Sequence, residues 1–251
     1  MSIHFKLENV SKSFGSVKVF ESINLSVEQG ESLVVIGPSG TGKSVLLKCI
    51  LGLIPLDEGK IYINDQLAID RHKVYENVIE GIFGMLFQGG ALFDSLPLWY
   101  NVAFGLIYGH KIEKTAAKNL AIKALEQVGL NADTIYKLPS EISGGMQKRA
   151  AFARAVVTHP EILFFDEPTA GLDPIMSSVI NNLIEEKVKT KAITSLTITH
   201  DMNCLNHVAH KVAMLFDGKI VWQGSKKDFF KTDDAYVYQF RNGLLTGPLL
   251  S

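Results

Sequence analysis

From Ile3 to about Ile69 apolar and polar positions alternate: Ile3, Phe5 and Leu7 come first, VKVFESINLSV follows from Val17, and GKIYIND comes after a turn marked by Pro55 and Gly59. Successive side chains of a strand point to opposite faces, so this period of two predicts strands. The run SLVVIG (Ser32–Gly37) is apolar almost throughout and meets a glycine-rich loop, which predicts a buried parallel strand feeding a helix. Between about Gly90 and Val157 the period changes. Leu120, Ala124 and Val128 recur every four residues and predict a helix face, with Gly129 as the closing cap. Strand character returns at EILFFDE (Glu161–Glu167); Asp173 and Pro174 then read as an N-cap and a first-turn proline, ahead of a helix that buries Val179, Leu183 and Ile184. ITSLTITH (Ile193–His200) is another buried strand, and VAMLFDGKIVWQG (Val212–Gly224) is a hairpin turning at Asp217–Gly218. Strands alternating with helices predict an α/β fold with an antiparallel β layer and a helical insertion. The expected boundaries are a core and β subdomain over about 1–89 and 158–240, a helical subdomain over about 90–157 and a short tail over 241–251.

Composition narrows the class. A chain of 251 residues with 47% hydrophobic and 20% charged residues can bury a core as one large domain or as two packed subdomains. Its net charge of −1 supplies no basic field, so nucleic acid is not an expected partner. Cys49 and Cys204 lie far apart in apolar contexts with neither metal-ligand nor redox spacing, and are expected to be buried thiols. The N-terminus lacks the basic start and apolar run of a signal peptide, and no apolar run approaches the ~18–20 residues that cross a bilayer. A membrane role is therefore expected to come through a partner.

The segment GPSGTGKS (Gly37–Ser44) fits the phosphate-loop pattern and lies where that chemistry requires it, after a buried strand and before VLLKCILGL. Its glycines let backbone N–H groups wrap phosphates, Lys43 brings positive charge to the terminal phosphates, and the Ser44 hydroxyl suits magnesium. ILFFDE supplies the complementary half, an apolar strand ending in carboxylates. Asp166 suits the outer coordination of magnesium, and Glu167 suits the general base for an attacking water. Kinase and GTPase chemistry remain open on these residues alone, since both use a similar loop.

EISGGMQKRAAFARAV, from Glu141, opens a helix with a serine and two glycines and is expected to carry Lys148 and Arg149 in its first turn. Cations sit badly beside the positive end of a helix dipole, so an anion is expected there, and two copies paired head to tail would provide one. Together these segments resemble the ATP-binding cassette family over nearly the whole chain. The resemblance implies a P-loop NTPase with a RecA-like core, an antiparallel β subdomain and an inserted helical subdomain, hydrolysing ATP with Mg2+. It implies that Phe14 stacks on adenine and that Gly37, Pro38, Ser39, Gly40, Thr41, Gly42, Lys43, Ser44 and Val45 cradle the phosphates. Ser44, Gln88 and Asp166 become the metal residues, Glu167 the base, His200 the contact to the γ-phosphate and Gln88 the sensor that relays to a membrane partner. Ser143, Gly144 and Gly145 become the signature that caps nucleotide on the opposite protomer, with Asp173 in the loop crossing the interface. Met146 departs from the family's usual glutamine, so a polar contact across the dimer is either lost or supplied by Gln147 or Lys148, which bears on turnover more than on ATP binding.

FQGGALFDSLPLWYNVAF (Phe87–Phe104), SGGMQKR and QFRNGLLTGPL (Gln239–Leu249) resemble in particular the ATPases of Mla-type phospholipid transporters. That resemblance implies a second copy of the chain, an integral membrane permease (MlaE-like), an MCE-domain lipid-binding protein (MlaD-like) and a STAS-domain regulator (MlaB-like). It also implies a peripheral position on the cytoplasmic side of the inner membrane, with the residues between Leu92 and Leu106 as a docking groove. A transporter ATPase for small polar solutes shares every catalytic residue. A soluble mechanical ATPase is disfavoured by the single cassette, and a catalytically dead sensor by the presence of Lys43, Asp166, Glu167 and His200.

Overall fold

The computed structural model describes residues 3–71, 73–191 and 193–250. β1 (Ile3–Phe14) and β2 (Val17–Glu28) form a long antiparallel hairpin that buries Phe5, Leu7, Val10, Phe20, Ile23 and Leu25, as the alternation predicts. β3 (Ser32–Ile36) is buried at every position and leads through the glycine loop into α1 (Lys43–Ile50). There follow β4 (Glu58–Ile63), β5 (Gln66–Asp70), β6 (Lys73–Val74) and the single turn α2 (Glu76–Ile79). Next come β7 (Phe83–Leu86), α3 (Leu98–Phe104) with a π-helical turn at Gly105–Gly109, α4 (Lys114–Gln127), α5 (Ala132–Ile135) and α6 (Gly144–Val156). β8 (Ile162–Asp166) and α7 (Pro174–Lys191) precede β9 (Thr194–Ile198), α8 (Met202–Val208), β10 (Lys211–Phe216) and β11 (Lys219–Ser225), and α9 (Lys226–Phe229) and α10 (Ala235–Asn242) close the chain.

These elements divide into two compact units, one spanning Gly81–Lys187 and one formed by the chain on either side of it. The flanking unit carries an antiparallel sheet in the order β2-β1-β4-β5-β6. It also carries the parallel neighbours β10, β3 and β9, in register at Val212↔Val34 and Val35↔Ile198, with β11 antiparallel to β10. The β10–β11 turn has φ of 45° at Asp217 and 69° at Gly218, the pair of left-handed residues that a tight hairpin requires. Cys49 and Cys204 are buried thiols within this unit.

In the other unit β7 and β8 are parallel, in register from Phe83↔Ile162 to Leu86↔Phe165. Phe152 of α6 stacks on Phe165 with centroids 6.1 Å apart, and Phe83 meets Phe164 edge-on at 5.1 Å. The small side chains Ala117, Ala121, Ala150 and Ala153, all buried, let α4 and α6 approach closely. Gly129, at φ 73°, ends α4 as predicted, and Leu130 N–H reaches back to the Leu125 carbonyl at 3.0 Å.

Two predicted faces are displaced. Leu120 is 42% exposed, whereas Ala117, Ala121, Ala124 and Leu125 form the buried stripe of α4, because 3.6 residues per turn carries an every-fourth pattern off the face. In α7 the stripe is Ser177, Ile180, Asn181 and Ile184; Val179 and Leu183 lie half-buried on its flanks.

Candidate functional site

In the flanking unit the phosphate-loop segment joins β3 to α1 as the motif requires. Gly37 has φ 151°, and a Cβ there would stand 2.1 Å from the Leu215 carbonyl oxygen of β10, so only glycine fits. α1 begins at Lys43 with no acidic residue in its first turn and no side-chain cap among the described residues, leaving the N–H groups of its first turn facing the loop. Lys43 is buried, and its Nζ donates to the carbonyls of Gly37 at 2.8 Å and Pro38 at 2.7 Å. Thr41 Oγ1 donates to Pro38 O at 3.0 Å, which tightens the same turn. The ammonium thus sits within the loop that wraps it.

His200 is exposed and follows β9, which neighbours β3. Thr199 N–H extends the ladder to Val35 O at 3.2 Å, and Asp201 caps α8 by accepting from Asn203 N–H at 2.8 Å. His200 and the phosphate loop therefore leave the same, carboxyl ends of adjacent parallel strands, where α/β sheets bind ligands. Phe14, 51% exposed, ends β1; Lys12 Nζ lies 5.2 Å from its ring and pairs with Asp57 Oδ1 at 2.8 Å. Asp57 Oδ2 also accepts from Ser13 N–H at 2.6 Å, so one carboxylate holds the strand end that presents Phe14.

The second unit repeats the geometry. Gln88 leaves the carboxyl end of β7, and Asp166 and Glu167 leave that of β8 beside it. Gln88 is exposed, while Asp166 and Glu167 are buried. Glu167 has φ 47°, a left-handed backbone that costs a non-glycine residue roughly 1–3 kcal/mol and is found where the surroundings enforce it. Its carbonyl accepts from Ala170 N–H at 3.1 Å and from Lys148 Nζ at 3.3 Å. Asp173 caps α7, its Oδ1 accepting from Ile175 and Met176 N–H at 2.9 and 3.0 Å.

Ser143 is the N-cap of α6 and accepts from Met146 N–H at 3.3 Å. Gly145 is packed so that a Cβ would lie 3.0 Å from Met176 Cε, whereas no described atom comes within 4 Å of a Cβ built on Gly144. The two cations are not in the first turn: with α6 starting at Gly144 they are its fifth and sixth residues, and each has a partner inside the chain. Arg149 Nη1 donates to the carbonyls of Val128 and Gly129 at 3.1 and 3.0 Å, satisfying the carboxyl end of α4. Lys148 Nζ donates to Gln88 O as well as Glu167 O. Burial depresses its ammonium pKa, and the charges of Asp166 and Glu167 oppose that shift. Gln147 Nε2 donates to Pro139 O at 2.9 Å. Neither residue is therefore disposed to replace the glutamine that Met146 displaces, because both side chains are committed to carbonyls of their own chain.

Two further residues escape a reading of the sequence. Arg154 donates to Gly90 O and Ala91 O at 2.7 and 2.6 Å, holding the turn after Gln88 to α6. Asn101, fully buried, accepts from Phe93 N–H at 2.6 Å and donates to Leu96 O at 2.8 Å. It fixes the stretch expected to dock a partner, which divides in two: Leu98, Val102 and Leu106 are core, whereas Phe93 and Tyr108 are exposed. An asparagine in an apolar run carries no sequence signal beyond its polarity.

Comparison with known proteins assigns the family. The ABC transporter profile matches residues 20–170. The chain is 39% identical over 251 residues to the probable ribonucleotide transport ATP-binding protein mkl of Mycobacterium leprae, covering 99% of this chain and 72% of that protein. It is 33% identical to the intermembrane phospholipid transport system ATP-binding protein MlaF of Haemophilus influenzae, covering 97% of this chain and 92% of that one. Among solved structures, the dimeric post-hydrolysis state of the ATP-binding cassette MJ0796 bound to ADP and Pi superimposes with a TM-score of 0.79 at 28% identity, over 88% of this chain and 98% of that one. Carrying a phosphate loop, a strand-end carboxylate pair and a serine-capped glycine helix, and matched by that profile over residues 20–170, the chain belongs to the ABC transporter family as an ATP-binding, ATP-hydrolysing subunit.

Proposed function

We propose that this subunit powers phospholipid transport between membranes. Supporting this is its alignment along 92% of the length of MlaF, an intermembrane phospholipid transport protein by name. The tail that resembles that branch is a built feature: Gln239 is buried, its Oε1 accepts from Leu249 N–H at 2.8 Å and its Nε2 donates to Leu244 O at 3.1 Å.

In this reading the backbone of Gly37–Val45 and the Lys43 ammonium bind the phosphates of ATP, and Phe14 offers a stacking face to adenine. Glu167 takes the proton of the water that attacks the γ-phosphorus, and His200 contacts the departing phosphate. A second copy of the chain brings Ser143, Gly144, Gly145 and the Asp173 loop to the same nucleotide. The donors Ser44, Gln88 and Asp166 fit Mg2+, a hard cation held by one or two carboxylates together with phosphate and water. Bound there, the ion would neutralise charge on the phosphates.

No helix among the described residues is long and apolar enough to cross a membrane. Membrane coupling is assigned to an integral permease resting on the exposed aromatics around Phe93 and Tyr108, at the cytoplasmic face of the inner membrane, with MCE-domain and STAS-domain proteins completing the assembly. The 39% identity to a protein named for ribonucleotide transport favours a second reading, transport of a small polar solute. A tagged pull-down from detergent-solubilised membranes, with proteins and lipids identified by mass spectrometry, separates the two. A permease, an MCE-domain protein and phospholipid are expected. A permease with a solute-binding protein would replace the lipid reading, and a purely soluble pool on ribosomes or DNA would remove transport altogether.

A further inference from the structure

Lys148 occupies an unusual position for a lysine. Its side chain is buried, and its ammonium donates to the backbone carbonyl of Gln88, just past β7, and to that of Glu167, just past β8. One group on α6 therefore fastens together the two strand ends that carry the proposed sensor glutamine and the proposed base. An ammonium offers three donors and no acceptor, so it can satisfy carbonyls from separate segments at once, and leaving the buried Glu167 carbonyl without it would be costly. The second attachment falls where the backbone most needs holding, since Glu167 is one of the few non-glycine residues here with φ in the left-handed region. The direction of its carboxylate depends on that dihedral angle. Arg154, six residues further along α6, grips Gly90 and Ala91 in the same way, so the helix that opens with Ser143 is tied at two points to the segment containing Gln88.

We infer that Lys148 is a positioning residue for hydrolysis: it holds the backbone of Glu167 and Gln88 in the geometry that aims their side chains, and so links the signature helix to the base. This rests on Glu167 being the base. Lys148 does not touch substrate in this account, and nucleotide binding should not depend on it.

The test compares K148M, K148R, E167Q and the double variant K148M/E167Q in the full-length chain, by single-turnover phosphate release, ATP affinity, thermal unfolding and gel filtration of the ATP-bound dimer. Misplacing a catalytic group by about an ångström costs up to ~100-fold, so K148M should lose roughly 10- to 100-fold in turnover with ATP affinity unchanged. It should also accumulate the ATP-bound dimer as E167Q does. K148R, which keeps charged donors, should recover most of the activity, and adding K148M to E167Q should cost little more.

Parental turnover in K148M beside a slow E167Q would overturn the positioning role and leave the base intact. Equal loss on adding K148M to E167Q would also overturn it, because Lys148 would then act elsewhere, as would activity falling only in step with unfolding. Near-parental turnover in E167Q would remove the base itself and this inference with it. If K148M does not fold, K148Q carries the same comparisons and the same criteria.

Discussion

Three lysines among the described residues are equally buried, each 6% exposed; Lys12 pairs with the Asp57 carboxylate, whereas Lys43 and Lys148 turn their ammonium onto backbone carbonyls. Lys43 reaches Gly37 and Pro38, six and five residues back along its own loop. Lys148 reaches Gln88 and Glu167, sixty and nineteen residues away. These two bonds of Lys43 close the phosphate loop on itself, between groups a few residues apart. The hydrolytic half is assembled from distant segments and depends on α6 to keep them together. Nucleotide binding and hydrolysis should therefore separate at these two lysines, substitution of Lys43 weakening binding and substitution of Lys148 slowing hydrolysis from a residue that does not contact nucleotide.

The largest effect expected is in the loop itself. K43A removes the positive charge at the terminal phosphates and should reduce hydrolysis on the order of 10³-fold with a measurable loss of ATP affinity; retention of affinity would break the contrast with Lys148. Gly37→Ala places a Cβ 2.1 Å from a backbone oxygen and should abolish ATP binding and lower the unfolding midpoint together, seen by titration and calorimetry.

Arg149 sharpens the comparison because it adjoins Lys148 and carries the same charge. Its partners are the carbonyls closing α4, so R149A should cost about 2 kcal/mol of stability in denaturant titration while turnover per folded molecule stays near parental. A turnover defect as large as that of K148M would show that charge near the start of α6, not attachment to Glu167, is what matters. The smallest effect concerns α1. Burial raises the Cys49 thiol from 9.0 to about 11, with Lys12 opposing and Asp57 assisting. A raised folded-state pKa contributes stability that is intact below the unfolded value and lost as pH climbs towards the folded one. Relative to C49A, the parent should therefore lose about 1 kcal/mol between about pH 8 and pH 10, measured by urea titration at each pH.

How much of this could be read from the sequence follows the same division. β3 and β8 announce themselves as short, mostly apolar runs because strands covered on both faces leave no polar alternation, whereas β9, Thr194–Ile198, is as fully buried but mixes Thr and Ser with Leu and Ile. The phosphate loop is legible because its chemistry is compressed into eight consecutive residues. Leu120 misleads because a four-residue spacing only approximates the helical period, and the buried stripe of α4 is three alanines and Leu125, with Leu120 turned out. Lys148 and Arg149 read as unexplained cations at a helix start, and the anion expected for them is replaced by carbonyls that only the fold brings within reach. Asn101 and Gln239 escape for the same reason: each is a single amide whose partners are backbone groups of loops that it organises.

The central claim is that Glu167, held in its left-handed backbone at the end of β8, is the base of an ATP-hydrolysing cassette. The most direct test is single-turnover phosphate release by E167Q beside the parent at saturating ATP, with affinity measured on the same samples. Parental ATP affinity and a loss of roughly 10²- to 10⁴-fold in hydrolysis are expected, the range for removal of a general base. Hydrolysis near the parental rate with unchanged affinity would contradict the claim.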